Sequence, residues 1–334
     1  MSLKLLVLRV TQKCNLSCEY CYAFDGTEEN MPVDIALRAV EMAAQPGETL
    51  KIQFAGGEPL LNMECIEAVY EFGRITGRKL VMSLQTNGTL LTIENCNKLK
   101  KMNIAVGVSI DGIGDADKLR KYPDGRPSFR DAAEGIKNLG RCNKKCNLMA
   151  VVTSVNERKL DNLLDLALYF GNVYGIGLDI FRPIGRGKNK NLTASEKELS
   201  AGVDSLLNKY DEFQKINMPV RIKELERIKH LLKYKQKKDL YCYAQTQCSL
   251  AVDTKGNLYP CSSFVCKEHL LGHLDNYESA VFAARKCDAL PKTCRNCSIV
   301  SYCRGGCPAN SDKKLICILN KRFYDYANKT ECEV

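Results

Sequence analysis

Between residues 3 and 181 the chain repeats one pattern: a short apolar run, then a segment with helical periodicity. The apolar runs cover 3–10, 50–54, 80–85, 105–110, 147–152 and 177–181. The helical segments that follow them cover 33–44, 64–76, 93–102, 129–139, 160–170 and 195–216. Short apolar runs separated by helices read as strands buried on both faces, and strands joined through helices run parallel. The order predicts an α/β fold, a partial (β/α)6 TIM-type barrel that stays open because it has fewer units than a closed one. Functional loops are then expected at the C-terminal ends of the strands. A second charged amphipathic helix is predicted at 222–235. After residue 240 the periodicity gives way to cysteines, glycines and short turns. The expected boundaries are 1–185 for the barrel, 186–240 for a helical bridge and 241–334 for a Cys-rich domain.

Cysteine is the second constraint. The chain has 18 Cys and no Trp among 334 residues. Its opening, MSLKLLVLRVTQKC, is too short for a signal-peptide core, and no small-residue cleavage site follows it. No apolar run approaches the roughly 20 residues that span a bilayer. A cytoplasmic location and no membrane partner are expected. In that reducing compartment many thiols point to metal or cluster ligation rather than disulfides. The net charge of +10 is modest for this length. The Lys runs at 98–101 and 235–238 lie on helical patterns and read as solvated faces, so nucleic acid is not expected as a partner.

After the first strand comes Cys14-Asn-Leu-Ser-Cys18-Glu-Tyr-Cys21. A cubane 4Fe–4S cluster takes four ligands, usually Cys thiolates. Three close Cys either leave one iron open or belong to a structural site completed by a distant fourth Cys. Further motifs follow in order: Gly56-Gly57-Glu58-Pro59 after the second strand, Gln85-Thr86-Asn87-Gly88 after the third, and Ser109-Ile110-Asp111-Gly112 after the fourth. Asp117-Lys118-Leu119-Arg120 comes next. Each falls at a strand end. The set resembles the radical S-adenosylmethionine (SAM) superfamily. That resemblance implies that Cys14, Cys18 and Cys21 hold a 4Fe–4S cluster whose open iron chelates SAM. It implies that Gly56, Gly57 and Glu58 meet the SAM amino group and that Arg120 pairs with its carboxylate. Gln85 and Ser109 would bond the ribose or methionine part, and Tyr20 would pack near the adenine. The chemistry implied is one-electron cleavage of SAM to a 5′-deoxyadenosyl radical that abstracts hydrogen from a substrate.

The C-terminal part carries Cys242, Cys248, Cys261, then Cys294-x2-Cys297-x5-Cys303-x3-Cys307, then Cys317. A tetrahedral zinc site would use four of these eight thiolates and leave four without a role. The pattern resembles the SPASM extension of radical SAM enzymes, which implies two auxiliary 4Fe–4S clusters and three clusters in all. By that resemblance Cys242, Cys261, Cys307 and Cys317 would hold the inner auxiliary cluster, with Cys332 as the alternative to Cys317. Cys248, Cys294, Cys297 and Cys303 would hold the outer one. Cys65, Cys96, Cys142, Cys146, Cys266 and Cys287 are left over; Cys65 and Cys96 read as core residues. Arg182 and Arg186 either face substrate carbonyls or belong to a plain surface loop.

Relatives of this type mostly modify peptides or proteins. The expected activity is a peptide or protein maturase, forming a thioether or carbon–carbon crosslink. The alternatives are an anaerobic sulfatase maturase that makes formylglycine, and a small-molecule oxidase or decarboxylase of cofactor biosynthesis. Ser262 stands where sulfatase-maturing members carry an Asp base, and Ser is a poor base without an activating partner. An external electron donor such as flavodoxin or ferredoxin is implied. The first strand begins near Leu3, so leader recognition would need a separate protein or another surface.

Overall fold

The computed structural model describes residues 2–24, 26–236, 240–277, 290–310 and 312–332. Six parallel strands form the body: β1 (Leu5–Thr11), β2 (Thr49–Gly56), β3 (Lys79–Thr86), β4 (Ala105–Ser109), β5 (Cys146–Val152) and β6 (Val173–Ile180). Helices α1 (Val33–Ala43), α2 (Met63–Thr76), α3 (Ile93–Lys101), α4 (Phe129–Arg141) and α5 (Asn162–Phe170) alternate with them. The expected partial barrel is present. All of β1 after Leu5 is buried, whereas β2, β3 and β4 alternate, burying one face on the helices and leaving the other partly open.

The sheet is larger than the six expected strands. Its order is β10-β9-β8-β1-β2-β3-β4-β5-β6-β7. A two-residue strand, β7 (Arg221–Ile222), pairs parallel to β6 between α6 (Glu196–Lys215) and α7 (Lys223–Lys233). On the other edge β8 (Ser249–Val252) lies parallel to β1, Leu5 opposite Ser249, and continues into β9 (Asn257–Tyr259) and β10 (Gly272–His273). The C-terminal region therefore covers the free edge of the first strand, which would otherwise expose unpaired backbone groups. A terminal helix, Lys313–Cys332, packs on α6 and α7. One hydrophobic core runs through Leu6, Phe54, Leu84, Leu148, Leu250, Leu315 and Phe323, joining all three expected segments.

The sixth strand begins at Val173 rather than at residue 177. It runs through Gly175 and Gly177. In the fold they make room inside the barrel, because a Cβ there would lie 2.5 Å from Asn147 Oδ1 and 2.7 Å from Met149 Sδ. Among the described residues, no helix is long and apolar enough to cross a membrane.

Candidate active site

The site is built on the loop that leaves β1. Thr11 pairs with Gly56, and the Gly57 and Glu58 N–H groups donate to the Thr11 and Lys13 carbonyls, each at 2.8 Å. This approach demands glycine. Gly56 sits at φ +136°, and a Cβ on it would fall 2.0 Å from the Thr11 oxygen. On Gly57 a Cβ would fall 2.1 Å from the Lys13 oxygen. The loop is held on its other side by Ser17 N–H to Lys121 O (2.6 Å) and Glu19 N–H to Leu119 O (3.0 Å). Arg186 N–H reaches Cys21 O at 2.9 Å, and the Arg186 guanidinium donates to Leu16 O at 3.3 Å. Asn15 bonds Thr89 and Asn87, both at 2.8 Å, fastening the loop to the end of β3.

Cys14, Cys18 and Cys21 then line one cavity with Tyr20, Gly56, Gly57, Gln85, Ser109 and Arg120. The sequence singled out all of these. Cys14 opens onto the cavity yet is desolvated enough to push its thiol up to about 12, opposed by the Leu16 N–H. Burial also raises Cys18, against the pull of Arg120. Thiols such as Cys14 and Cys18, which would hold their protons in water-poor surroundings, give them up to a metal, which is how thiolate sites form. Gln85 Nε2 donates to Ser109 Oγ at 2.8 Å, and Gly107 leaves the space that its amide occupies.

Like Arg9, Arg120 is a buried cation of the site. Its guanidinium donates to Tyr20 Oη at 2.6 Å, and Tyr20 in turn donates to Asp111. Asp111 also accepts from Val151 N–H at 2.8 Å. Asp117 accepts from Asp111 N–H at 2.8 Å, and its second oxygen is buried with no hydrogen bond. Burial disfavours the charge on Arg120, but Tyr20, Cys18, Asp111 and Asp117 around it more than offset this and push its pKa well above the usual arginine range. Burial raises both acids, Asp117 to about 8 with Asp111 adding to the effect. Sequence reading gave Asp111 and Asp117 no role. The available signal was an acid at the tip of an apolar strand, where burial needs a partner.

Three expectations change. The Glu58 carboxylate does not line the cavity. It is buried and accepts from Leu60 N–H (3.1 Å), Thr86 Oγ1 (2.7 Å) and Asn87 N–H (2.7 Å). It ties the end of β2 to the end of β3, because both loops leave the sheet side by side. Arg182 and Arg186 do not belong to a plain surface loop. Arg182 is buried, donating to Ser263 Oγ at 3.0 Å and to Asp179 at 2.5 Å, and lies 4.8 Å from the Tyr22 ring centre.

The third change concerns the C-terminal thiols. Burial raises Cys261, Cys303, Cys307 and Cys317; beyond that, Cys317 responds to Cys294 and Cys297, and Cys303 to Cys317 and Cys294. Cys261 responds to Cys307 and Cys242. The thiols that act on Cys317 are those of Cys294 and Cys297, which points away from the expected set with Cys242, Cys261 and Cys307. A Cβ on Gly306, the residue before Cys307, would lie 2.2 Å from Ile316, so the start of the terminal helix packs against the Cys303–Cys307 segment. Cys248 stands one turn from Cys242, its N–H bonded to Tyr243 O at 2.9 Å. Cys287 and the Cys332 side chain lie outside the described residues. Cys65, Cys96, Cys142 and Cys146 are buried in the main core. Ser262 and Tyr22 share the cavity wall with the cysteine triplet and are hydrogen-bonded to each other.

Comparison with known proteins gives a consistent picture. The model for the Radical SAM superfamily matches residues 8–167. The uncharacterized protein MJ0907 of Methanocaldococcus jannaschii is 33% identical over 261 residues, 78% of this chain and 85% of that protein. The serine-type anaerobic sulfatase-maturating enzyme of Bacteroides thetaiotaomicron is 27% identical, over 92% of this chain and 83% of that enzyme. The solved structure of native anSMEcpe with bound AdoMet superposes with a TM-score of 0.83 at 21% identity, covering 99% of this chain and 98% of that one.

Proposed function

The chain belongs to the radical SAM superfamily, and on that premise we propose that it is a maturase that oxidises a side chain of a protein or peptide substrate. Cys14, Cys18 and Cys21 hold the SAM-binding 4Fe–4S cluster. When bound and reduced, the cluster supplies the one-electron reduction that turns SAM into a hydrogen-abstracting agent. The chain's own residues do the positioning. The Gly56–Gly57 edge offers backbone carbonyls to the SAM ammonium, held in place by Glu58 through Thr86 and Asn87. Arg120, fixed by Tyr20 and Asp111, takes the carboxylate as a charge-assisted pair. The Gln85–Ser109 pair meets the ribose, and the Tyr20 ring forms the wall near the adenine.

Two auxiliary 4Fe–4S clusters complete the proposal, one on Cys242, Cys248, Cys261 and Cys307, the other on Cys294, Cys297, Cys303 and Cys317. The observation that carries the substrate reading is Ser262, the residue after Cys261, lining the same cavity as the triplet. The C-terminal region thus completes the wall of the cavity in which a substrate would react. The likeness to a sulfatase-maturating enzyme over most of both chains supports side-chain oxidation ahead of the crosslink expected from sequence. Ser262, in place of the Asp that such enzymes carry by resemblance, keeps the crosslink as the second reading.

The test incubates reconstituted enzyme, SAM and dithionite with Ser- and Cys-bearing sulfatase peptides. The expected product from Ser is lighter by two hydrogens and reacts with a hydrazide, which marks an aldehyde. A two-hydrogen loss without hydrazide reactivity would mean a crosslink. SAM cleavage with every peptide left unchanged would contradict the maturase reading.

A further inference from the structure

One set of metal-ligating side chains stands apart from the thiols placed above. After the turn that carries Cys261 the backbone is extended at Cys266 and then winds into a single 3-10 turn, Lys267–His269. His269 N–H closes it on Cys266 O at 3.0 Å. A 3-10 turn eclipses side chains three apart, so the His269 Nδ1 atom comes to 3.0 Å from Cys266 Sγ. Glu268 joins them, and one ligand atom from each of the three lies within 4.8 Å of the others. The Phe264 ring stacks on His269, centres 4.4 Å apart and planes 28° from parallel, which fixes the imidazole with Nδ1 toward the sulfur.

We propose that Cys266, Glu268 and His269 bind a zinc-type divalent cation that staples the loop following Cys261. Zinc with sulfur at about 2.3 Å and nitrogen or oxygen at about 2.0–2.2 Å sets neighbouring ligand atoms roughly 3 to 4 Å apart; Cys266 and His269 stand at 3.0 Å and the Glu268 carboxylate within 4.8 Å of both, so a small side-chain adjustment closes the site. One thiolate, one imidazole and one carboxylate select a borderline-soft metal over magnesium or calcium. Thiolate and carboxylate together neutralise the ion, and the exposure of all three residues leaves the fourth position to water. Binding releases the thiol proton and makes no redox change.

The site matters because of what its loop carries. Phe264 N–H bonds Cys261 O at 3.1 Å and Cys266 N–H bonds Phe264 O at 3.0 Å, so the two turns are continuous. Between them stand Ser262, on the cavity wall, and Ser263, which accepts from Arg182. A metal at Cys266 would hold that wall from outside the cavity. This inference does not depend on the proposed reaction.

The test titrates Co2+ into reconstituted protein freed of excess iron and follows the thiolate-to-cobalt charge-transfer band. The expected result is a band saturating at about one Co2+ per chain, competed away by Zn2+, with iron and sulfide unchanged. The band should vanish in Cys266→Ser and weaken at least tenfold in affinity in His269→Ala. Both are surface changes that leave the core intact. Zn2+ should also slow amide exchange in residues 262–270 of the wild type alone. No saturable band, or the same band in Cys266→Ser, would overturn the site. A band lost in Cys266→Ser but untouched in His269→Ala would also overturn it, since it would report a bare thiolate.

Discussion

Replacing Gly57 by Ala is expected to lower SAM cleavage by about 100-fold or more and to cost the chain about four irons. The argument is steric and local. The added methyl would stand 2.1 Å from the Lys13 carbonyl oxygen, and no rotation relieves a backbone contact. The loop must move out, which breaks the 2.8 Å bonds from Gly57 and Glu58 N–H to Thr11 and Lys13. Cys14 is the next residue. Displacement by about 1 Å is enough to misplace a reacting group. The sheet should survive, because its strands do not depend on this loop. Gly140→Ala is the control: it lies in α4 and its new methyl meets nothing closer than 3.4 Å, at Asn172. Iron content, 5′-deoxyadenosine yield and circular dichroism check the prediction. Full iron and full cleavage in Gly57→Ala would mean that the close approach is not needed.

Arg120→Ala should lose SAM binding and also destabilise the fold by about 3–5 kcal/mol, the cost of leaving buried charge without its partner. Arg120, Asp111 and Asp117 are 6%, 2% and 2% exposed, so water cannot take over the role of the guanidinium. The pH dependence carries a sign. Both acids have folded pKa values above the unfolded value of about 3.9, Asp117 at about 8. Between those limits the native state binds more protons than the unfolded chain. The Asp117 contribution is therefore complete below about pH 4 and is lost as pH rises toward 8, and that of Asp111 is lost in the same direction. Arg120 lowers both acids. Removing it raises them further, so the variant should lose stability more steeply than the wild type between pH 6 and 8. Urea midpoints at the two pH values measure this. Parallel profiles would show that Arg120 does not set the charge of this cluster.

The strands and helices of the barrel were legible because each one repeats a local pattern that burial requires. Val7, Leu8 and Val10 of β1 and Ile52 and Phe54 of β2 are all buried, as an apolar run between helices demands. What escaped was set by distant partners. β7 has two residues and exists only because β6 offers an edge. β8 reads as one short run in a Cys-rich stretch, and its place is fixed by pairing with β1. The site divides in the same way. The Cys14–Cys21 loop and the Gly56–Gly57 turn are contiguous motifs whose residue types state their chemistry. The Tyr20–Asp111–Arg120 chain joins three separate loops, and nothing in any one of them announces the others. The nearness of Cys317 to Cys294 and Cys297 depends on where the terminal helix packs, which spacing alone does not encode.

The central claim is a SAM-cleaving cluster on Cys14, Cys18 and Cys21 beside two further clusters on the C-terminal thiols. The most direct measurement is iron and sulfide per chain, with 5′-deoxyadenosine formed under dithionite, in anaerobically reconstituted wild type and in the variant with all three of these Cys changed to Ala. The account predicts about 12 irons in the wild type and about 8 in the variant, with 5′-deoxyadenosine formed only by the wild type. About 4 irons in the wild type, with zinc on the C-terminal thiols, would contradict the auxiliary clusters; SAM cleavage surviving in the variant would contradict the site itself.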